Sequence, residues 1–179
     1  MHMKKVILSN VFSYLSVILS AQITYADEPT LCEADEKIIL SCPVEGKKRK
    51  IISICAKNTV DGKDLSYIEY RFGTQKNTEM KYLVTRDNGA KMYRGLDNGT
   101  YSVYFAFQKY DYYYLVDVMQ EVIGAQMSVT VTKKSTGADV AAILCKPNNW
   151  VENKNIKTSL LTEVDGRYLI EGEIRPPEK

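Results

Sequence analysis

Imidazole is almost missing from this chain: of 179 residues, only His2 is a histidine. His2 stands at the head of a segment that reads as a removable leader. The remainder then has no imidazole for a Ser-His-Asp or Cys-His nucleophile system, a histidine-bearing zinc site or a histidine general base. Carboxylate chemistry has candidates in Asp61, Asp64, Glu69, Asp111 and Asp117, but no spacing among them implies an acid-base pair. Gly89, Gly95 and Gly99 do not form a phosphate cradle. Four cysteines, Cys32, Cys42, Cys55 and Cys145, are separated by ten, thirteen and ninety positions without a C-x-x-C pair, which favours two disulfides over a zinc site. Four cysteines allow three pairings. Cys42 with Cys145 and Cys32 with Cys55 is preferred, because the first bridge would fasten an early strand to a late one. No catalytic residue, metal or cofactor is expected, and the chain is read as a binder rather than an enzyme.

The residues suited to binding are aromatic and charged side chains in turns. Of thirteen tyrosines, eleven lie beyond residue 26 and five of those fall between Tyr104 and Tyr114. Tyrosine offers a broad rigid face with a polar tip, which suits protein interfaces. Tyr101, Tyr112 and Tyr114 fall on faces expected to be buried, Tyr104 and Tyr113 on the outer face, and Tyr110 and Asp111 at a hairpin tip. The stretch Arg86 to Arg94 combines both charges, a glycine turn and a ring, with Arg86, Asp87, Asn88, Lys91, Tyr93 and Arg94 as the contact candidates. Lys47, Lys48, Arg49 and Lys50 make another turn strongly basic. A docking patch for an acidic partner is one reading; solvated turn charge is the favoured one. Asn98-Gly99-Thr100 matches a glycosylation sequon, but an Asn-Gly pair is accounted for by a turn.

Short β-rich runs must position these residues. Ile38, Leu40 and Cys42 share one parity, as do Ile52, Ile54 and Ala56 after the turn from Glu45 to Lys50. Ser66, Ile68, Tyr70 and Phe72 alternate with Tyr67, Glu69 and Arg71, and Met80, Tyr82 and Val84 alternate with Lys81 and Leu83. Val103, Phe105 and Phe107, preceded by Tyr101, are answered beyond Lys109 to Asp111 by Tyr112, Tyr114, Val116 and Val118, an expected aromatic hairpin. Met127, Val129 and Val131 continue the alternation. Val140 to Cys145 is continuously apolar, as in a strand covered on both sides. About eight strands before Pro147 predict an all-β fold, a small antiparallel β-barrel or sandwich. Residues 147–179 read as an extension packed on the same domain: a helix or strand over Thr158 to Glu163, a tight turn at Val164 to Arg167, and a last strand through Tyr168, Ile170 and Ile174.

Lys4 and Lys5, the apolar stretch from Val6 to Leu19, and the small residues Thr24 and Ala26 ahead of Asp27 form a secretory pattern, with cleavage expected near Ala26. Ser9, Asn10, Ser13 and Ser16 leave the stretch short of the ~20 apolar residues of a membrane span. Loss of 26 residues from 179 leaves 153, one domain. The leader holds two of the 24 basic residues and none of the 22 acidic ones, which leaves 22 of each and no net charge. Nothing global then draws the protein to nucleic acid or an anionic membrane. The expected location is the periplasm, without a stable membrane anchor.

The runs Glu36 to Cys42, Ile51 to Ala56 and Tyr67 to Gly73 resemble a family of small exported bacterial β proteins, a likeness that extends over most of the chain up to Cys145. An exported β-barrel closed by an early and a late cysteine is also similar to the periplasmic inhibitors of c-type lysozyme, which present a Ser-Gly-x-x-Tyr loop. Here the nearest segment is Asn88 to Tyr93, with asparagine for serine and one residue more before the tyrosine. The architecture resembles, too, the periplasmic immunity proteins that protect bacteria from type VI secretion toxins acting on peptidoglycan. That resemblance implies a protein partner, a cell-wall-active enzyme or toxin; the aromatic and charged turns make the loops at Asp87 to Arg94 and Lys109 to Asp111 the parts expected to block it. The alternatives are a barrel mouth that accepts a small molecule or glycan, direct inhibition of c-type lysozyme, and, least supported, a carboxylate-dependent hydrolase.

Overall fold

The period-two alternation becomes strands wherever one face has a core to meet. The computed structural model describes residues 29–97, 99, 102–119, 126–146, 154–170 and 172. The leader and its cleavage site, Tyr101, most of the sequon and Ile174 lie outside the described residues. Strands β1 (Lys37–Pro43), β2 (Ile51–Asn58), β3 (Leu65–Thr74) and β4 (Asn77–Val84) form a four-stranded antiparallel meander. Strands β5 (Met92–Leu96), β6 (Val103–Lys109), β7 (Tyr112–Met119), β8 (Gln126–Lys133), β9 (Ala138–Leu144) and β10 (Leu161–Asp165) form a second sheet in the order β10-β5-β6-β7-β8-β9, with only β10 and β5 parallel. The sheets face one another as a sandwich, and neither closes into a barrel. Among the described residues nine strands precede Pro147, because the end of the expected functional loop, from Met92, is itself strand.

The inner faces supply one large core. Leu40, Ile52, Ile54, Ile68 and Tyr70 of the first sheet meet Met92, Phe105, Phe107, Val116 and Val129 of the second. Complete burial of one such side chain contributes roughly 1.5–3 kcal/mol. Phe107 is stacked between Tyr82, at 4.3 Å between ring centroids, and Tyr114, at 4.9 Å. Tyr112 and Tyr114 pack against this core, as their parity implies. In β1 a bulge at Ile39 sets Ile38 opposite Cys55 but Leu40 opposite Ile54, so Ile38 and Leu40 do not share a face.

Both preferred disulfides are formed, with Cα–Cα distances of 5.4 Å for Cys32–Cys55 and 5.7 Å for Cys42–Cys145. Two such bridges indicate an oxidising compartment. The second closes a loop of 103 residues and ties β1 to the end of β9; loop-closure entropy puts such a bridge at about 4.7 kcal/mol. Backbone hydrogen bonds from Glu45 N to Leu144 O and from Lys146 N to Pro43 O, 2.8 and 2.9 Å, join the sheets at the same corner. Cys32–Cys55 holds the segment Pro29 to Glu36 over the outer face of the first sheet. There Ser41, Ser53 and Arg71 lie in register across β1, β2 and β3, buried, with Ser53 accepting from Leu31 N and Arg71 donating to Leu31 O.

Three expectations about faces are corrected. Among the described residues β9 is an edge strand, paired with β8 alone: Ala141 and Ile143 pack against the core, while Val140 and Leu144 are 53% and 47% exposed. Tyr104 and Tyr113 do point out of the sandwich, but they are buried there with Ala106 beneath Leu169 of a single helical turn, α1 (Gly166–Ile170). The Tyr113 hydroxyl donates to Leu169 O at 2.9 Å. That turn replaces the expected last strand. A strand would bury Tyr168 and Ile170 and expose Leu169; α1 does the reverse. Gly95 and Gly166 permit the approach, since a Cβ on Gly95 would lie 2.8 Å from Gly166 Cα. The segment expected to be helix or strand ends as β10. Among the described residues, no helix is long and apolar enough to cross a membrane.

Candidate functional site

Lys109 pairs with Tyr112, so β6 and β7 are joined by the two-residue turn Tyr110-Asp111. Tyr110 has φ 54° and is 87% exposed. Such turns place glycine at a first position of positive φ, because a Cβ there crowds the backbone. Asp111 fixes the turn from beside it: its backbone carbonyl accepts from Lys134 N at 2.8 Å, Oδ1 from Ser135 N at 3.1 Å and Oδ2 from Ser135 Oγ at 2.6 Å. Lys134 Nζ donates to Gln108 Oε1 at 2.9 Å, which adds a second tie between the two hairpin turns. Lys109 Nζ donates to Lys81 O at 2.7 Å and lies 5.8 Å from the Tyr110 ring centroid. The ring is thus the projecting part of a braced turn.

The loop from Thr85 to Lys91 lies on the same rim. Met92 is opposite Phe107, which brings Lys91 to the Gln108 end of β6. The Tyr82 hydroxyl donates to Lys91 O at 3.0 Å and accepts from Lys91 N at 3.2 Å, next to the Lys81 carbonyl that holds Lys109. Asn88 is turned into its own loop: Oδ1 accepts from Thr85 N and Ala90 N, and Nδ2 donates to Leu83 O at 2.8 Å. Arg86 donates to Asp64 Oδ2 at 2.8 Å. Asp64 also accepts from Ser159 Oγ, Thr158 Oγ1 and Leu65 N, and these bonds hold its carboxyl far below the usual range.

The structure divides the eight contact candidates. Tyr110, Asp87 and Lys91 are exposed on the rim; Asn88, Asp111 and Arg86 brace it. Tyr93 packs half-buried against the Tyr104–Tyr113 cluster. Arg94, 8% exposed, is occupied by the C-terminal segment: Nε donates to Lys154 O, one terminal nitrogen to Glu163 Oε2 and the other to Asn155 Oδ1, at 2.8, 2.8 and 3.0 Å.

A second feature needed the tertiary structure to be seen. The basic turn from Lys47 to Lys50 meets Lys76, from the turn between β3 and β4, and Lys146, the residue after the disulfide. Together with Pro43, Val44 and Ile51 they line a groove of about 910 Å³. Lys50 pairs with Glu79 and lies over the Phe72 ring. Among the described residues, Lys47, Lys48, Arg49, Lys76 and Lys146 make no ion pair. Arg49, with φ 64°, is the other non-glycine residue of positive φ among those described.

The carboxylates that do converge serve Arg71. Its terminal nitrogens donate to Glu36 Oε1 and Oε2, both at 2.7 Å, and its Nε donates to Glu69. Burial alone raises the Glu36 carboxyl, but bonds from Arg71, Tyr67 and the Glu33 N–H outweigh it and hold the group below its ordinary value. Cys32, Glu36 and Cys55 lie within 4.8 Å of one another, yet the two sulfurs are bonded to each other and offer no thiolate to a metal. No known protein family, curated protein or solved structure matches this chain.

Proposed function

We propose that this is an exported, periplasmic immunity or inhibitor protein, which docks the Tyr110 turn in the cleft of a peptidoglycan-directed enzyme or toxin and blocks substrate access. The reading is carried by one observation: a fully projecting tyrosine at a position that glycine would occupy with less strain, held there by both oxygens of Asp111. A non-glycine residue in the left-handed region costs about 1–2 kcal/mol. Strain of this kind gathers where a side chain must be presented. A narrow two-residue turn with an aromatic tip suits a concave partner, and tyrosine is enriched among the residues that dominate binding energy. Asp87 and Lys91 on the same rim supply charge of both signs beside it. The leader pattern and the disulfides support export. The space between the sheets is filled by Tyr70, Phe105 and Phe107, which leaves the barrel-mouth alternative without comparable support.

The purified protein should be titrated against wall hydrolases, transpeptidases, c-type lysozyme and the products of toxin-like genes adjacent to its own. Inhibition at a stoichiometric ratio is expected from one of them. Tyr110→Gly should then weaken binding by about 30-fold or more, the scale of a hot spot, while raising stability by about 1 kcal/mol through relief of the positive φ. Absence of binding across the panel, or full affinity in Tyr110→Gly, would sink the proposal.

A further inference from the structure

We infer that the basic groove is a second binding site, built for an extended acidic polypeptide segment that carries apolar side chains between its carboxylates. The chain beyond the leader pattern has equal numbers of acidic and basic residues, yet among the described residues that line this groove six are cations and none is a carboxylate. Five of them have no ion-pair partner among the described residues. Like charges crowded around a concavity repel one another, and a bound anion removes that repulsion. The site does not form by chance flexing of a loop. Val44 N donates to Lys50 O at 2.8 Å, Lys50 N to Lys47 O at 3.2 Å, and the Cys42–Cys145 bridge with its flanking backbone bonds fixes Lys146 against the same corner.

Chemistry narrows the occupant. Among the described residues no aromatic side chain lines the groove, which leaves them without the platform on which the bases of a nucleic-acid strand would stack. The cations line a recess rather than cover a flat face, which suits a chain and not a bilayer surface. Five of the six are lysines, flexible point charges that match spaced carboxylates better than one bidentate group. Pro43, Val44 and Ile51, which line the same groove, offer contacts to apolar side chains between the carboxylates. This site does not depend on the Tyr110 reading, and Tyr110→Gly should leave it intact.

The test is fluorescence anisotropy with a labelled (Glu-Val)4 peptide and the full protein. Saturable binding is expected at low salt, weakened tenfold or more when the Debye length falls from about 10 Å to about 3 Å. Lys48→Glu/Lys76→Glu/Lys146→Glu should abolish it, Lys76→Gln alone should weaken it a few-fold, and the corresponding triple arginine variant should retain it. Lys63→Glu, on an exposed loop outside the groove, should bind as the parent does. Circular dichroism establishes that each variant is folded. No binding at low salt, or equal loss in Lys63→Glu, overturns the site; tighter, groove-dependent binding of polyphosphate or of phosphatidylglycerol vesicles overturns the assignment to a peptide.

Discussion

Replacing Arg71 by leucine should destabilise the protein by about 3–5 kcal/mol, the range for a buried ion pair that loses one partner. The side chains concerned are enclosed: Arg71 is 7% exposed, Glu36 fully buried and Glu69 10% exposed. Leucine removes four donated bonds, two to Glu36, one to Glu69 and one to Leu31 O. Counting each at about 1.5–3 kcal/mol would overshoot, because the freed carboxylates can draw water by loosening the segment from Pro29 to Glu36. Cys32–Cys55 limits how far that segment can lift. For a domain of this size the melting temperature should fall by about 6–20 °C, at roughly 2–4 °C per kcal/mol. The pH dependence has a defined sign. Glu36 titrates below its unfolded value, so its stabilisation is present above the unfolded carboxylate pKa and is lost as pH falls through the folded one. Without Arg71, burial dominates and ionised Glu36 becomes a liability, so the gap between parent and variant should narrow on acidification. Thermal melts by circular dichroism across the acid range measure both effects. Arg71→Leu/Glu36→Gln/Glu69→Gln should recover much of the loss, since it leaves no unpaired charge. A fall of less than about 2 °C in the single variant, or a gap that widens in acid, would refute this account of the clasp.

Gly95→Ala should push α1 from the sheet, because the new Cβ would meet Gly166 Cα and Leu169 Cδ1, each at 2.8 Å; the cost is about 1–3 kcal/mol, read as lost hydrogen-exchange protection over α1, and unchanged protection would contradict it. Asp117→Asn should be neutral or stabilising by about 1 kcal/mol at neutral pH: burial raises the Asp117 carboxyl and its buried Oδ1 has no hydrogen-bond partner among the described residues, so the aspartate's favourable contribution exists below its unfolded pKa and is lost as pH rises through the folded one. The advantage of asparagine should therefore vanish in acid, and a less stable variant at neutral pH would show that the carboxylate is needed.

Most of the strands were legible in the sequence because alternation is local: successive side chains of an extended chain leave on opposite faces, whatever lies beyond them; β5, five residues inside a stretch rich in charge and turn residues, was not. The all-β class, the β6–β7 hairpin with Tyr110 at its tip, and the core positions of Phe105, Phe107, Tyr112 and Tyr114 follow from that geometry. The cysteines permitted the observed bridges, since Cys42 shares the parity of a core-facing strand, but did not require them. What covers a face, by contrast, depends on residues remote in the chain. Tyr104 and Tyr113 are buried only because Leu169 arrives from beyond β10, and Arg94 leaves the list of free side chains only because Glu163, Lys154 and Asn155 reach it. β9 is exposed although its sequence suits an interior strand, because among the described residues no further strand pairs beyond it and β10 joins the opposite edge beside β5. The basic turn reads as solvated charge in isolation; Lys76 and Lys146, one from a neighbouring hairpin and one from a residue about a hundred positions away, make it a groove. Outside the bulge in β1, sequence determined which side chains point the same way, by backbone sterics, and tertiary structure alone decided which of those faces meet water, because burial is a property of two surfaces brought together.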